Sequence, residues 1–282
     1  MMTWSAIDKR LASAEAAVRG RLAEPSSPTW TTPIDLAAAA SIDLDAWQRR
    51  VLSSTSSRLV VLGPRQSGKS TVSGILSLHT ALTIPGSLTL LIAPSLRQSA
   101  ELARTVRMTT TLLGMAAIDE STPSAASTTR IEFPNGSRVI ALPGTSEATV
   151  RGYAAPRLVV ADEASRISEE TFAALRPSLA ASTGGRLLLL STPWLKHGTF
   201  YRTWVDASAT WERIRVRPED VPRWDAAYIE EERKSLPAWV FAREYLGEFA
   251  DDDMTLFTAE LIEGMLDRSV QPLFGSSFGA LP

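Results

Sequence analysis

The sequence predicts an α/β fold in which a mainly parallel central sheet is flanked by helices. Three observations predict it: four short apolar runs, stretches with helical spacing between them, and a hairpin signal at Asn135-Gly136. Apolar runs of this length fit strands that are buried on both faces, and crossover helices connect such strands. The 282 residues, of which 44% are hydrophobic, suffice for one large domain or for a domain with an appendage.

The predicted elements alternate along the chain. Strands are expected at the four apolar runs, which are 58–62, 87–94, 157–164 and 186–193. Helices are expected where apolar residues recur with helical spacing, at 4–23, 42–52, 70–82, about 97–113 and about 169–182. A Pro/Ser/Thr linker is predicted at 23–33, and the hairpin occupies 129–142. The pattern after residue 224 is helical and leads to a linker-like stretch at 247–257, so helical additions are expected at both ends of the chain.

The composition excludes several classes of site. The chain has no cysteine, so disulfides and thiolate metal sites are excluded. His79 and His197 lie far apart in the sequence and match no metal-ligand spacing. No apolar run approaches the roughly 18 residues of a membrane span, and the N-terminus lacks the apolar core of a signal peptide. The net charge of −2 gives no overall basic signature, but a local basic patch suffices for DNA binding.

A phosphate-binding loop is predicted between the first apolar strand and the helix that follows it. Gly63-x4-Gly68-Lys69-Ser70 matches the pattern G-x-x-x-x-G-K-[ST] in full. Glycines let the backbone approach phosphates, and the helix N-terminus adds the positive end of its dipole. Lys69 is expected to reach the β- and γ-phosphates of ATP, and Ser70 to ligate Mg²⁺. The predicted nucleotide contacts in this stretch are Gly63, Pro64, Arg65, Gln66, Ser67, Gly68, Lys69, Ser70 and Thr71.

An acidic pair, Asp162-Glu163, ends the third apolar strand. Ligands of open α/β sheets bind at the carboxyl ends of the strands, so this pair is expected beside the loop. Asp162 would hold Mg²⁺, through water, and Glu163 would orient and deprotonate the attacking water. The alternative is an acidic strand end that only caps a helix. The adjacent glutamate favours a hydrolase over a kinase.

Two hydroxyl side chains, Ser191 and Thr192, end the fourth apolar strand. Hydroxyls at the end of a neighbouring strand could hydrogen-bond the γ-phosphate or the attacking water. Ordinary turn chemistry at a strand end is the alternative interpretation.

These motifs, taken in order, resemble the ATPase domain of the large terminase subunit of tailed bacteriophages. The resemblance rests on "WQRRVL", "GPRQSGKST", "LLIAPSLRQSAEL", "IEFPNGSRVIALPG…RGYAAPRLVVADEAS" and "LLLLSTP…GTFYRTW", and it covers roughly residues 42–257. It implies a P-loop NTPase core of the RecA/ASCE-like type. It also implies an ATP-hydrolysing motor that drives double-stranded DNA into a procapsid.

The resemblance implies further residue roles. Trp47 and Gln48 resemble the adenine-contacting motif that precedes the loop in this family. Arg65 matches the arginine that the family carries within its loop, where a guanidinium could sense or stabilise γ-phosphate charge. Ser191 and Thr192 resemble the family's coupling motif, which implies that they link hydrolysis to DNA movement.

An arginine that acts on a neighbouring subunit's nucleotide is also implied, because the family resembles ring ATPases. Arg151, expected in a flexible loop before the acidic strand, is the candidate, and such a residue is worth about 10³–10⁵ in turnover. Arg157 and Arg130 are the alternatives. The implied partners are double-stranded DNA, the portal protein, the small terminase subunit and further copies of the chain in a ring on the procapsid. The implied location is the host cytoplasm, with no membrane.

The predicted organisation has three parts. Residues 1–33 form an N-terminal helix and linker, 34–250 the ATPase domain, and 251–282 a linker or tail towards an absent nuclease domain. The acidic run Asp251, Asp252 and Asp253 is interpreted as a solvated loop, because adjacent residues do not converge on one ion. No nuclease activity is therefore expected from this chain.

Two other functions stay open at this point. "DEAS" and "STP" also resemble helicase motifs, which would make the chain a fragment of a DExx-type translocase. A nucleotide-regulated assembly module, with negligible turnover, is the third possibility.

Overall fold

A seven-stranded sheet forms the centre of the chain in the computed structural model, which describes residues 30–115, 129–145, 147–206 and 210–249. The strands are β1 (Arg58–Leu62), β2 (Leu88–Ala93), β3 (Arg130–Glu132), β4 (Arg138–Pro143), β5 (Leu158–Asp162), β6 (Arg186–Ser191) and β7 (Glu212–Arg215). Their order across the sheet is β3-β4-β2-β5-β6-β1-β7, and all neighbours are parallel except the antiparallel pair β3 and β4. The predicted α/β fold with a mainly parallel sheet is confirmed.

Helices cover both faces of the sheet. They are α1 (Pro33–Ala39), α2 (Ala46–Ser53), α3 (Lys69–Thr83), α4 (Leu96–Leu112), α5 (Glu147–Arg151), α6 (Glu169–Ala180), α7 (Gly198–Val205), α8 (Ala226–Ser235) and α9 (Ala238–Phe241), the last continued by a π-helical turn, Ala242–Leu246. Val61 of β1 packs into a core formed with α1 to α4, whereas Val60 packs into a second core with α5 to α7. This alternation explains why the strand read as an uninterrupted apolar run. None of the helices within these ranges combines the length and apolar character that a membrane span requires.

The N-terminal boundary differs from the sequence prediction in two places. Helix α1 begins at Pro33, the last residue of the predicted linker, because Thr32 caps it: the Asp35 amide donates to Thr32 Oγ1, and the Thr32 amide to Asp35 Oδ2. Helix α2 begins at Ala46 and not at residue 42, since Asp45 occupies the N-cap position. The helix predicted at 4–23 lies outside the described residues.

The central and C-terminal elements follow the prediction more closely. The hairpin turns at Asn135-Gly136, where Gly136 has a φ of +81°, and it joins β3 to β4. The helical pattern after residue 224 is confirmed by α8 and α9. Helices α1, α5 and α7 were not predicted. Most of the linker-like stretch at 247–257, with its acidic run, lies outside the described part of the chain.

The order of the strands brings three sequence motifs to one edge of the sheet. Strand β6 lies between β1, which leads into the phosphate-binding loop, and β5, which ends in Asp162. The three strands are parallel, so their carboxyl ends meet on the same side. The pair Ser191-Thr192 at the end of β6 is therefore placed between the loop and the acidic pair.

Candidate active site

The loop between β1 and α3 has the backbone conformation of an anion-binding nest. Gln66 and Gly68 have positive φ values of 57° and 99°, and Gly68 directly precedes the first residue of α3. Residues alternating between right- and left-handed conformations turn successive N–H groups to one side. Gly68 also permits a close approach: a Cβ at this position would lie 2.5 Å from Gln48 Nε2. The loop is thus shaped to receive phosphate oxygens.

Lys69 is buried inside this loop. Its Nζ donates to the carbonyl oxygens of Pro64, at 2.7 Å, and Gly63, at 3.4 Å. Burial lowers the pKa of the Lys69 ammonium below its ordinary value, and the carboxylates of Glu163 and Asp162 act in the opposite direction. The positive charge is therefore held at the centre of the loop.

Asp162 is buried at the end of β5 and faces the start of α3. Ser70 Oγ donates to Asp162 Oδ2 at 3.5 Å, and the Glu163 amide donates to Oδ1 at 3.1 Å. Burial, aided by the charge of Glu163, raises the pKa of Asp162 to about 6. The surrounding protein groups thus compensate the negative charge of the ionised Asp162 only poorly.

The pair Ser70 and Asp162 fits a magnesium ion. Hydroxyl and carboxylate oxygens are hard ligands, and Mg²⁺ usually takes few of them from the protein while keeping waters and substrate phosphates. Ser70 is exposed, and both residues line a cleft of about 690 Å³ that also contains Glu163. Among the described residues, no group of three or more His, Cys, Asp or Glu could hold a metal. Two protein ligands suit a magnesium ion whose remaining ligands are waters and nucleotide phosphates.

Asp162→Asn is expected to stabilise the protein without magnesium and nucleotide at neutral pH. Because the folded-state pKa is raised from 3.8 to about 6, the folded protein holds a proton that the unfolded chain releases. The free energy of unfolding therefore falls as the pH rises from about 3.8 to about 6. Above about pH 6 the whole loss is present, and it amounts to up to about 3 kcal/mol. Thermal unfolding of the wild type and Asp162→Asn, at pH 7.5 and below pH 4, measures the difference in stability. A gain that is equal at both pH values, or that the exposed control Asp43→Asn shares, would contradict this assignment.

Glu163 is hydrogen-bonded to the end of β6. Thr192 Oγ1 donates to Glu163 Oε2 at 2.9 Å, and Glu163 has a φ of 49°, in the left-handed region that non-glycine residues rarely adopt. Ser191 Oγ donates to Ser165 Oγ at 2.8 Å, and Ser165 Oγ donates to the Thr192 carbonyl at 3.1 Å. The acidic pair and the predicted coupling residues thus form one hydrogen-bonded unit.

Trp47 and Gln48 are both buried, and Gln48 contacts the loop. The Asp45 amide donates to Gln48 Oε1 at 2.8 Å, and Gln48 Nε2 donates to the Gly68 carbonyl at 3.1 Å. The ring of Trp47 packs in the core with α1 and α3. In this arrangement Gln48 connects the cap of α2 to the loop, and the adenine contact of both residues remains a prediction.

The four candidate arginines have different settings. Arg65 is exposed in the loop, and its Nε lies 3.9 Å from Glu244 Oε2. Arg151 ends helix α5 and pairs with Glu147 one turn earlier at 2.7 Å, so the predicted flexible loop is wrong at this point. Its side chain is 65% exposed, which leaves it accessible. Of the two alternatives, Arg157 donates to the Thr183 carbonyl and Arg130 pairs with Glu132.

Sequence reasoning missed two residues of the C-terminal region that reach this edge. Arg223 contacts the loop carbonyls of Gln66 and Ser67. Arg243 lies over the ring of Trp194, at 5.1 Å, and Arg166 lies over the same ring at 4.0 Å. The sequence carries no signal for these roles, because neither residue belongs to a local motif.

Arg213, Arg215 and Arg217 alternate along the sequence, and the first two have structural roles. Arg213 lies in β7, and its guanidinium donates to the carbonyls of Trp204 and Trp211. Arg215 donates to the Leu246 carbonyl.

A second cavity, of about 750 Å³, lies between α6 and α7 and is larger than the cleft beside Asp162. None of the predicted site residues lines it.

Comparison with known proteins identifies the family and confirms the fold. Residues 60–263, more than half of the chain, match the family described as "Terminase large subunit, T4likevirus-type, N-terminal". No curated protein matches the chain. Its structure is similar to the large terminase ATPase domain of Thermus phage P74-26, with 20% identity and a TM-score of 0.64 over 78% of this chain and 100% of that one.

Two longer large terminases are also similar in structure. The HK97 bacteriophage protein is 15% identical, with a TM-score of 0.61 over 74% of this chain and 51% of that one. The protein of a thermophilic bacteriophage, solved in complex with ADP, is 12% identical, with a TM-score of 0.62 over 73% of this chain and 54% of that one. The aligned region thus spans about half the length of these two proteins. On the family match, which covers the loop, the acidic pair and the end of β6, the chain belongs to the large terminase subunits of bacteriophages.

Proposed function

We propose that this chain is the ATP-hydrolysing motor part of a phage large terminase and drives double-stranded DNA into the procapsid. One observation carries the proposal: the phosphate-binding loop, the acidic pair and the end of β6 meet at one sheet edge, where Thr192 bonds Glu163. The family membership supports the packaging role, and the ADP complex of a structural relative supports nucleotide binding.

Nucleotide binding would use the loop as an electrostatic cradle. The backbone N–H groups of the nest and the N-terminus of α3 would donate to the phosphate oxygens. Lys69 Nζ would exchange its bonds to the Gly63 and Pro64 carbonyls for bonds to the β- and γ-phosphates. Its position inside the loop means that this exchange needs only a small movement.

Hydrolysis would depend on the acidic pair. Ser70 and Asp162 would hold Mg²⁺, which supplies charge neutralisation to the transferred phosphoryl group when it is bound. Glu163 would accept a proton from the attacking water and orient it in line with the leaving group. The hydroxyl of Thr192 fixes one carboxylate oxygen of Glu163 and leaves the other free for the water.

Coupling to DNA movement would begin at the same hydrogen bond. Any displacement of Glu163 during the cycle changes its bond to Thr192 at the end of β6. Two residues further on, the ring of Trp194 contacts the guanidinium groups of both Arg166 and Arg243. Arg243 belongs to the turn that continues α9, so these contacts offer a physical route from the active site to the C-terminal helices.

The remaining roles and partners belong to the same proposal. Arg65 would act on the γ-phosphate of its own subunit, and Arg151 on that of a neighbour in a ring. The ring would assemble on the portal protein in the host cytoplasm, with the small terminase subunit and without a membrane. Residues 34–250 would form the ATPase domain.

The test of this function is ATP turnover with and without double-stranded DNA. We expect DNA to stimulate phosphate release, and we expect the stimulation to fall steeply with salt because the contacts are to DNA phosphates. The duplex should stay paired throughout. Unwinding by this chain alone would favour the helicase-type translocase, and tight ATP binding with no phosphate release would favour the assembly module.

A further inference from the structure

We propose that Arg223 is a positioning residue that holds the phosphate-binding loop in its nucleotide-binding conformation. The inference rests on the proposed nucleotide site and assigns it a residue from outside every recognised motif. Arg223 lies beyond the last strand of the sheet, 156 residues from Ser67, yet its guanidinium reaches the outside of the loop.

The contacts of the guanidinium are all on the outer side of the loop. Nη2 donates to the carbonyl oxygen of Gln66 at 3.2 Å and also to that of Ser67. Nη1 lies 2.7 Å from Asp45 Oδ2, in an ion pair whose carboxylate is only 14% exposed. Three separate groups therefore converge on one side chain.

The position of these carbonyls fixes the direction of the loop N–H groups. In a planar trans peptide, the C=O of one residue and the N–H of the next point to opposite sides. The carbonyls of Gln66 and Ser67 point outward to Arg223, and that of Gly68 points outward to Gln48. The N–H groups of the residues that follow, Ser67, Gly68 and Lys69, must therefore point inward, where phosphate oxygens would lie.

Arg223, Asp45 and Gln48 together form what we call the outer clamp. Gln48 is connected to Asp45 through the Asp45 amide, and Asp45 is paired with Arg223. The neighbouring Trp224 holds the backbone in place by packing against the core and edge-on against Tyr245, with ring centroids 5.8 Å apart. The clamp thus joins helix α2, the loop and the C-terminal region.

An arginine suits this position better than a lysine. Its planar fork presents several N–H donors in fixed directions, so one side chain can bond a carboxylate and two carbonyls at once. A lysine ammonium is a compact charge on a flexible stem and cannot keep the same set of bonds. Without the guanidinium, the loop would have to be ordered by the nucleotide itself, which weakens binding.

The test compares Arg223→Ala, Arg223→Lys and the exposed control Arg217→Ala in the full chain. Binding of a fluorescent ATP analogue with Mg²⁺ gives the dissociation constant, and turnover at saturating ATP gives kcat. We expect about tenfold weaker binding for Arg223→Ala, a smaller loss for Arg223→Lys, and wild-type affinity for Arg217→Ala. The loss should appear mainly in KM, since Arg223 does not touch the reacting atoms.

Added guanidinium ion provides the second readout. It should restore part of the affinity of Arg223→Ala and leave Arg217→Ala unchanged, which a general loss of folding would not produce. Wild-type affinity in Arg223→Ala, or in Arg223→Lys if the alanine variant does not fold, would overturn the inference. So would a kcat loss without a change in affinity. A wild-type chain that binds no nucleotide would overturn the proposed function itself, and the inference with it.

Discussion

Glu163→Gln is expected to lower ATP turnover at least about hundredfold while ATP binding stays close to that of the wild type. A positioned general base contributes about 10²–10⁴ to rate, and glutamine cannot accept the proton. The amide oxygen can still accept the hydrogen bond from Thr192, so the local structure should persist. Phosphate release at saturating ATP and high protein concentration, together with nucleotide binding, measures the effect.

The matched control is Glu169→Gln. Glu169 is an exposed glutamate in the first turn of α6, paired with Arg202 at 2.9 Å and outside the cleft that Glu163 lines. Turnover of this control should equal that of the wild type. Undiminished turnover in Glu163→Gln would remove Glu163 from the catalytic role and with it the interpretation of the acidic pair.

The same variant can reveal whether Arg151 acts on a neighbouring subunit. Arg151→Ala subunits supply an intact Glu163, and Glu163→Gln subunits supply an intact Arg151. A mixture should therefore recover part of the turnover that both variants lack alone, because some interfaces combine the two intact residues. An arginine that acts within its own subunit would give no recovery.

Lys69→Ala is the second substitution with a large expected effect, and it should weaken ATP binding and abolish turnover. Lys69 is the only lysine of the loop, and its side chain is buried. Its removal takes away the cation that is expected to bind the β- and γ-phosphates. Hydrogen bonds to charged groups contribute about 1.5–3 kcal/mol each, so a loss of at least about tenfold in ATP affinity is expected. Equilibrium binding of ATP with Mg²⁺ gives the result.

A suitable control for this variant is Lys234→Ala, since Lys234 is 75% exposed on α8. Its affinity should match that of the wild type. Because burial of the Lys69 ammonium is costly, Lys69→Ala should unfold at a temperature no lower than that of the wild type, which would show that lost binding does not reflect lost folding. ATP binding that survives in Lys69→Ala would place the nucleotide elsewhere.

The central sheet could be predicted from the sequence because its signals are local. Strands such as β1 and β5 are buried on both faces, and their apolar runs cannot be exposed without a large loss of hydrophobic free energy. The loop pattern between β1 and α3 is fixed by backbone conformation, above all by the positive φ of Gly68. Helix α1 was missed since seven residues carry little periodicity, although Thr32, Pro33 and Asp35 form a recognisable start signal.

The supporting contacts of the site could not be predicted, because they join distant parts of the chain. Nothing in the sequence on either side of Arg223 indicates that its side chain hydrogen-bonds a loop far earlier in the chain. The hydrogen bonds of Gln48 could not be predicted either. The sequence places Gln48 before the loop, but its bonds to Asp45 and Gly68 depend on how α2 packs. Arg151 was placed in a loop, and the structure shows a short helix held by Glu147.

The most direct test of ATP hydrolysis at Glu163 is a single-turnover measurement with the wild-type chain in excess over ATP, in the presence of Mg²⁺ and double-stranded DNA. Excess protein removes any dependence on product release or on slow repeated cycles. We expect bound ATP to be converted to ADP and phosphate, and Glu163→Gln to retain bound, intact ATP over the same period. Bound ATP that stays intact in the wild-type chain, or conversion that proceeds equally in Glu163→Gln, would contradict this expectation.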